Sequence, residues 1–346
     1  MTSSIDTAVQ TNDPATWLRL NAEEATAEIS ATLRTQVGET LKRRGVIVAM
    51  SGGVDSSVCA GLAVRAFGPK RVFGLFLPER DSDPLSLSLA TEWAEKLGIE
   101  YTTEDITPIL DGAGCYRRRD EAIKRLVPEF DEAWKSKIVL GGNRLESDRL
   151  NVSYLVVQRP GSQEFERHRL PPEEYRQIVA ASNFKQRTRK MLEYYHADRL
   201  HYAVVGTPNR LEYDQGFFVK GGDGLADVKP IAHLFKTQVY QLAEYLGVPT
   251  RITSRPPTTD TYSLPQSQEE FYFSLPAKMM DLVLYAHNAG FETQSAASQL
   301  GLTAEQVRRA YLDIEQKRST TRYLHLGPQL IESVNELRLD TPRSRG

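Results

Sequence analysis

Ser51-Gly52-Gly53-Val54-Asp55-Ser56 puts paired glycines, hydroxyls and one carboxylate into a single short string. Glycines let a backbone close on an anion, and the free N–H groups of a helix start hold phosphate oxygens. Asp55 adds negative charge where a bare anion site would avoid it, and the Lys of the G-x-x-x-x-G-K-[ST] pattern is missing. A divalent cation between phosphate and carboxylate resolves that conflict. The plainer reading is a strand-to-helix turn in which Ser51 or Asp55 caps the helix. A second group begins at Asn183-Phe184-Lys185-Gln186-Arg187-Thr188-Arg189. On a helix Lys185 and Arg189 stand one turn apart and Arg187 lies off their row, so part of the cluster can face a polyanion and part solvent. Beyond it, Glu212 follows Gly206-Thr207, and Gly216 through Asp227 combines glycines that permit unusual backbone angles with Lys220, Asp223 and Asp227.

These residues need a scaffold, and the flanking pattern supplies one. Val46 to Ala49 is too short for a helix but suits a strand buried on both faces, while Val58, Leu62 and Val64 have helical spacing. The loop therefore sits where a strand hands over to a helix. Gly68-Pro69 stops that helix, Val72 to Leu77 reads as a second buried strand, Asp83-Pro84 opens a helix that Gly98 ends, and Ile99 to Ile106 reads as a third strand. His201 to Val205 is another. Strands alternating with helices predict an α/β fold: a Rossmann-like parallel sheet, helices on both faces, and ligands at the carboxyl ends of the strands.

Around that centre the pattern is less regular. Residues 1–12 are expected to be a disordered tail, and Asp13-Pro14 to open a helix of about 25 residues. Ile29, Leu33, Val37 and Leu41 give it one apolar stripe, for packing on the domain or on a second subunit. Residues 110–178 read as an insertion. It holds Arg117-Arg118-Arg119, taken as a solvated helix face because Asp120 and Glu121 follow, then a strand at Asn151 to Gln158, a turn at Arg159-Pro160-Gly161 and a helix opened by Pro171-Pro172. Residues 263–346 read as a helical C-terminal region. Ala296 to Val307 has a helix-turn-helix pattern, but Glu305, Asp313 and Glu315 on the second helix favour a packing hairpin over a DNA reader.

The 346 residues are 40% hydrophobic, enough for a substantial core, and the formal net charge of -2 implies no general attraction to nucleic acid or membrane. No apolar run approaches the ~20 residues that span a bilayer. Met1 to Asn12 does not read as a secretory leader, so the expected location is cytoplasmic. Cys59 and Cys115 form no C-x-x-C pair and point to neither a zinc site nor a disulfide.

Ser-Gly-Gly-x-Asp-Ser directly after a buried strand resembles the pyrophosphate loop of the ATP pyrophosphatase superfamily. Further on, Asn183-x-Lys185-x-Arg187-x-Arg189, Gly206-Thr207-x4-Glu212, Gly216-Phe217-Phe218-x-Lys220-x-Gly222-Asp223-Gly224, Asp227-x-x-Pro230, Lys236-Thr237-Gln238-Val239 and Pro257-Thr258-x-Asp260 follow in order. Together they are similar to the successive signatures of ammonia-dependent NAD synthetases. The resemblance covers the loop domain and residues 180–262, and implies an ATP pyrophosphatase-type domain over residues 13–262.

It also implies an activity and roles for residues. ATP adenylates the carboxylate of deamido-NAD, pyrophosphate leaves, and ammonia displaces AMP on a homodimer. Asp55, Glu212 and Thr258 would hold Mg2+. Ser51, Gly53 and Ser56 would hold the pyrophosphate, with Gly52, Val54, Asp55, Arg187, Thr207, Lys220, Asp227, Lys236 and Thr258 completing the nucleotide-binding set. Lys236 would stabilise charge in the transition state, and Asp223 would bind NH4+ and take its proton. Lys317-Arg318 stands where the family's helical end finishes in Lys-Arg.

Departures from the family bear on the substrate. Gly221 stands in place of a Tyr, Leu225 in place of a Gly, the acidic segment after Asp260 is replaced by Tyr262 to Phe273, and the insertion is longer. Another carboxylate, such as a sugar or metabolite acid, therefore stays open as substrate. A non-catalytic ATP-binding protein is opposed by Asp55, Glu212, Lys236 and Thr258 occurring together. About 45 residues precede the first strand, short of the amidase domain that glutamine-dependent enzymes carry. Free ammonia is the expected nucleophile, with a separate glutaminase as a conceivable donor.

Overall fold

The computed structural model describes residues 13–141, 152–256, 261–266, 272 and 275–334. Residues 1–12 and Thr258 lie outside them. The chain opens with α1 (Pro14–Trp17), capped by Asp13, and α2 (Ala22–Arg34), which runs into a π-helical turn at Thr35–Thr40. The single helix expected after Pro14 is thus two. Asn21 takes the N–H of Glu24 and starts a new helix, because a side chain that satisfies an orphan donor competes well with continuation of the first. Ile29, Leu33 and Val37 are buried in the core and Leu41 packs against it, so the stripe faces the domain itself.

Then follow β1 (Val46–Ala49), α3 (Val54–Phe67), β2 (Val72–Phe76), α4 (Pro84–Leu97) and β3 (Glu100–Thr103). Two helices, α5 (Thr107–Gly112) and α6 (Cys115–Lys124), lead into β4 (Lys135–Leu140), β5 (Ser153–Gln158) and β6 (Glu166–Arg169). The long α7 (Pro172–Leu200) returns to β7 (Ala203–Val205). The main sheet is parallel, in the order β3-β2-β1-β7, with Val46 opposite both Val72 and Ala203. Alternation sorts its side chains: Val46 and Val48 join the cluster of α2, α3 and α4, while Ile47, Phe73 and Leu75 join that of α5, α6 and α7. Helices on both faces follow. β3 is shorter than expected and partly exposed, since it pairs only with β2.

The insertion is more ordered than its sequence suggested. β4, β5 and β6 form an antiparallel sheet with its own core around Phe130, Trp134, Val157 and Ile178. Arg119 corrects the solvated-face reading: it is 5% exposed and bonds Asp81 at 2.8 Å and Asp120 at 2.7 Å, whereas Arg117 and Arg118 are exposed. After β7 come α8 (Arg210–Gln215), α9 (Lys236–Leu246) and α10 (Thr250–Thr253). The C-terminal region is α11 (Ala277–Asn288), α12 (Thr293–Leu300) and α13 (Ala304–His325). Gly301 ends α12 and Thr303 caps α13, and the hairpin buries Ala297, Leu300, Val307 and Ile314 in a shared core. That makes it a packing unit. No helix among the described residues is long and apolar enough to cross a membrane.

Candidate active site

The starts of three helices meet at the carboxyl ends of β1 and β7. Gly53 stands at the N-cap of α3 with no side-chain cap, so neither Ser51 nor Asp55 performs the capping that the plainer reading required. The first N–H groups of α3 therefore carry no side-chain cap, an arrangement that suits an anion. Gly52 has φ +74°, and a Cβ there would lie 2.3 Å from the carbonyl oxygen of Ser86, so both conformation and space demand glycine. Ser56 Oγ donates to the Gly53 carbonyl at 3.1 Å and accepts from Ser51 N–H at 3.2 Å, which holds the loop closed on itself.

Asp55 reaches out of the first turn of α3 to pair with Lys236, the first residue of α9. Its other oxygen accepts from Asn209 Nδ2 at 3.2 Å. Asn209 is the N-cap of α8 and shares a capping box with Glu212, whose carboxylate accepts the Asn209 N–H at 3.1 Å. Burial works against the charge on Lys236, which is 3% exposed, yet Asp55 and Glu212 beside it hold its pKa above the ordinary lysine range. It stays an ammonium. Cys59 below the loop is shifted the other way: burial, then Asp55 and Glu212, push its thiol up and keep it inert.

Asp55, Glu212 and Lys236 line a cavity of about 1620 Å³, together with Ser51, Gly53, Val54 and Ser56, while Asn209 is buried behind them. Arg187 from α7, Thr207 beyond β7, and Lys220 and Asp223 from the α8–α9 connection line it as well. Gly52 and Asp227 are not among the described lining residues. Gly52 is turned against Ser86, and Asp227 accepts the Val204 N–H at 2.7 Å and the Tyr194 hydroxyl at 3.2 Å, so it ties its loop to β7. Lys220 lines the cavity but donates to the Tyr323 and Leu326 carbonyls at 2.6 and 2.8 Å, holding the end of α13. Lys185 does not face a polyanion. It is 2% exposed and donates to Glu79 and Asp81 at 2.8 Å and to the Thr261 carbonyl at 2.9 Å. Arg189 donates to the Leu77 carbonyl at 3.1 Å, while Arg187 bonds the Lys220 carbonyl at 3.3 Å.

Several lining residues had escaped the sequence reading. Arg255 bonds Asp83 and Ser86 Oγ, each at 2.8 Å, beside Gly52, and nothing local marks it. Arg169 and Tyr175 come from the insertion and the start of α7. Lys190 and Glu193 were legible only as an i,i+3 pair continuing the basic run. No group of three His, Cys, Asp or Glu side chains among the described residues forms a metal cage. Mg2+ does not need one, since it is commonly held by one or two carboxylates plus substrate phosphates. Asp55 and Glu212, both hard oxygen donors on the cavity, fit that mode.

A sequence model of the NAD synthase family matches residues 25–126 and 150–323. The chain is 56% identical over 323 residues to an NH(3)-dependent NAD(+) synthetase of Rhizobium meliloti, covering 93% of this chain and 96% of that protein. It is 39% identical over 246 residues to that of Thermotoga maritima, covering 71% and 81%. Among solved structures, NMN synthetase from Francisella tularensis (TM-score 0.61, 21% identity, 90% of this chain and 99% of that one) shares the fold. So does the NH3-dependent NAD synthetase from Campylobacter jejuni (TM-score 0.59, 19% identity, 90% and 100%).

Proposed function

The chain belongs to the NAD synthase family, and from that premise we propose that it joins ammonia to the carboxylate of deamido-NAD, converting ATP to AMP and pyrophosphate. It is a carbon–nitrogen ligase. The observation that carries the reading is the meeting of Asp55, Lys236 and Glu212 on one cavity at an uncapped helix start, with buried Asn209 tying the two carboxylates together. About 1620 Å³ exceeds the usual 300–1,000 Å³ of a single small-molecule site and leaves room for two nucleotides.

A carboxylate is a poor acyl donor because its leaving group would be oxide. Its oxygen attacks the α-phosphorus of ATP, the bond to the bridging oxygen breaks, and pyrophosphate leaves with the electron pair. The hydroxyls of Ser51 and Ser56 and the first N–H groups of α3 hold the departing pyrophosphate, and the buried ammonium of Lys236 offsets its growing charge. Asp55 and Glu212 would hold Mg2+, with Thr258 as a third oxygen donor by family resemblance; bound there, the ion would neutralise phosphate charge. Arg187 and Thr207 bind nucleotide. Asp223, whose carboxylate accepts the Val219 N–H at 2.7 Å, receives the ammonium ion, and ammonia then displaces AMP from the acyl carbon. The enzyme acts as a homodimer; Met191 and Tyr195, exposed one turn apart on α7, offer an apolar face.

The test is incubation with ATP, Mg2+ and ammonium, with and without deamido-NAD, reading pyrophosphate and NAD. Both should appear only with deamido-NAD. Pyrophosphate release that needs a different acid would overturn the substrate assignment.

A further inference from the structure

The adenylation chemistry leaves one buried pair of charges in the cavity wall unused. Lys190 and Glu193 stand three residues apart on α7, with Nζ 2.6 Å from Oε2 and each side chain 5% exposed. Both line the cavity that Asp223 lines. Oε1 of Glu193 has no hydrogen-bond partner among the described residues. A buried ion pair stabilises a fold no better than apolar residues of similar volume, so stability alone does not explain its place on a ligand cavity.

We infer that Glu193 is a second proton-accepting carboxylate for the ammonium ion that enters beside Asp223. The inference rests on the ammonia-using reading above. The charged and titratable groups around Glu193 are Lys190, Arg189 and Tyr194 on α7 and Asp223 from the connection between α8 and α9, with Lys229 of that connection next to Lys190 and Asp223. Burial first, and the Asp223 charge with it, hold the Glu193 carboxyl above its ordinary range despite Lys190, which makes it a better base than a solvated glutamate. Lys190, Arg189 and Lys229 weaken the hold of a nearby ammonium on its own proton. One N–H bond of NH4+ breaks, its electron pair stays on nitrogen, and the proton bonds to Glu193. The lone pair of ammonia then attacks the acyl carbon, AMP leaves with the electrons of the broken C–O bond, and the proton shed by the new amide nitrogen goes to Asp223.

The test is Glu193→Gln, measured three ways. Its kcat/KM for ammonium at pH 7 should fall by about tenfold or more, the lower range for loss of a general base. The deficit should shrink as pH rises and free ammonia accumulates. Hydroxylamine, uncharged at neutral pH, should be used at close to the normal rate, and ATP–pyrophosphate exchange dependent on deamido-NAD should be unchanged. Glu193→Asp should recover part of the ammonium rate. Unchanged ammonium kinetics, an equal loss with hydroxylamine, or loss of exchange in the variant would overturn the assignment. Absence of exchange in the unmodified enzyme would instead overturn the adenylation reading beneath it. Should Glu193→Gln not fold, the double variant Lys190→Met with Glu193→Leu removes both charges together, and the same ammonium-to-hydroxylamine ratio decides.

Discussion

Asp55 has two partners whose demands differ. In the free protein it neutralises the buried Lys236 and accepts from Asn209; with substrates bound it is proposed to hold Mg2+. Asp55→Asn keeps size and hydrogen bonding but removes the charge. Turnover should fall about a hundredfold, the equivalent of ~3 kcal/mol in the transition state. The thermal midpoint should fall as well, because the buried Lys236 loses the carboxylate it is ion-paired with. Turnover is therefore compared at a temperature well below either midpoint, and near-normal rates there would remove Asp55 from the chemistry.

The start of α9 shows how an element places such a residue. Phe235 at its N-cap offers no side-chain cap, and the N–H and hydroxyl of Thr237 are taken instead by Asp281 of α11, at 2.7 and 2.8 Å. The C-terminal helices thereby fix the turn that carries Lys236. Asp281→Ala should cost about 1–2 kcal/mol in stability, as loss of a cap does, and lower kcat more than it changes KM. Asp281 also makes stability depend on pH. Burial, against the bonds from Thr237, pushes its carboxyl up to about 6. Between an unfolded value of about 3.9 and that folded value, the native state holds a proton the unfolded chain has released. The stability this contributes is present at low pH and lost as pH rises through about 6. The difference in thermal midpoint between the unmodified enzyme and Asp281→Asn should shift against the unmodified enzyme from pH 4 to pH 7 and then level; a constant difference would contradict the shift.

At the scale of the molecule, the buried knot of Lys185 with Glu79 and Asp81, extended by Arg119 to α6, joins the end of β2, the insertion and α7. Lys185→Met would leave carboxylates buried without their ammonium, which typically costs 3–5 kcal/mol. Thermal denaturation should show a midpoint lower by several degrees, with deamido-NAD-dependent activity retained at low temperature; a full loss of activity in the folded variant would place Lys185 in the chemistry after all. The purified protein should turn over with ammonium salts and not with glutamine, and NAD formation from glutamine by this chain alone would contradict the ammonia-dependent reading.

The local pattern was enough for the parallel sheet and its phosphate loop, because a short apolar run, two glycines and a helical repeat leave few ways to fold. It was enough for the family too, since the strings at 51–56, 183–189, 206–212 and 216–224 keep their order. What it did not decide is which charges meet. Lys185 and Arg187 share one helix, yet Lys185 is buried against carboxylates from another strand end while Arg187 lines the cavity. The break at Asn21 and the burial of Arg119 likewise depend on partners chosen locally by one side chain or distantly by another element. The sheet of the insertion was hidden because its strands are half exposed and follow no helix–strand alternation. A charged side chain is assigned its role by the desolvation and the counter-charge it meets, and those exist only once the chain is packed.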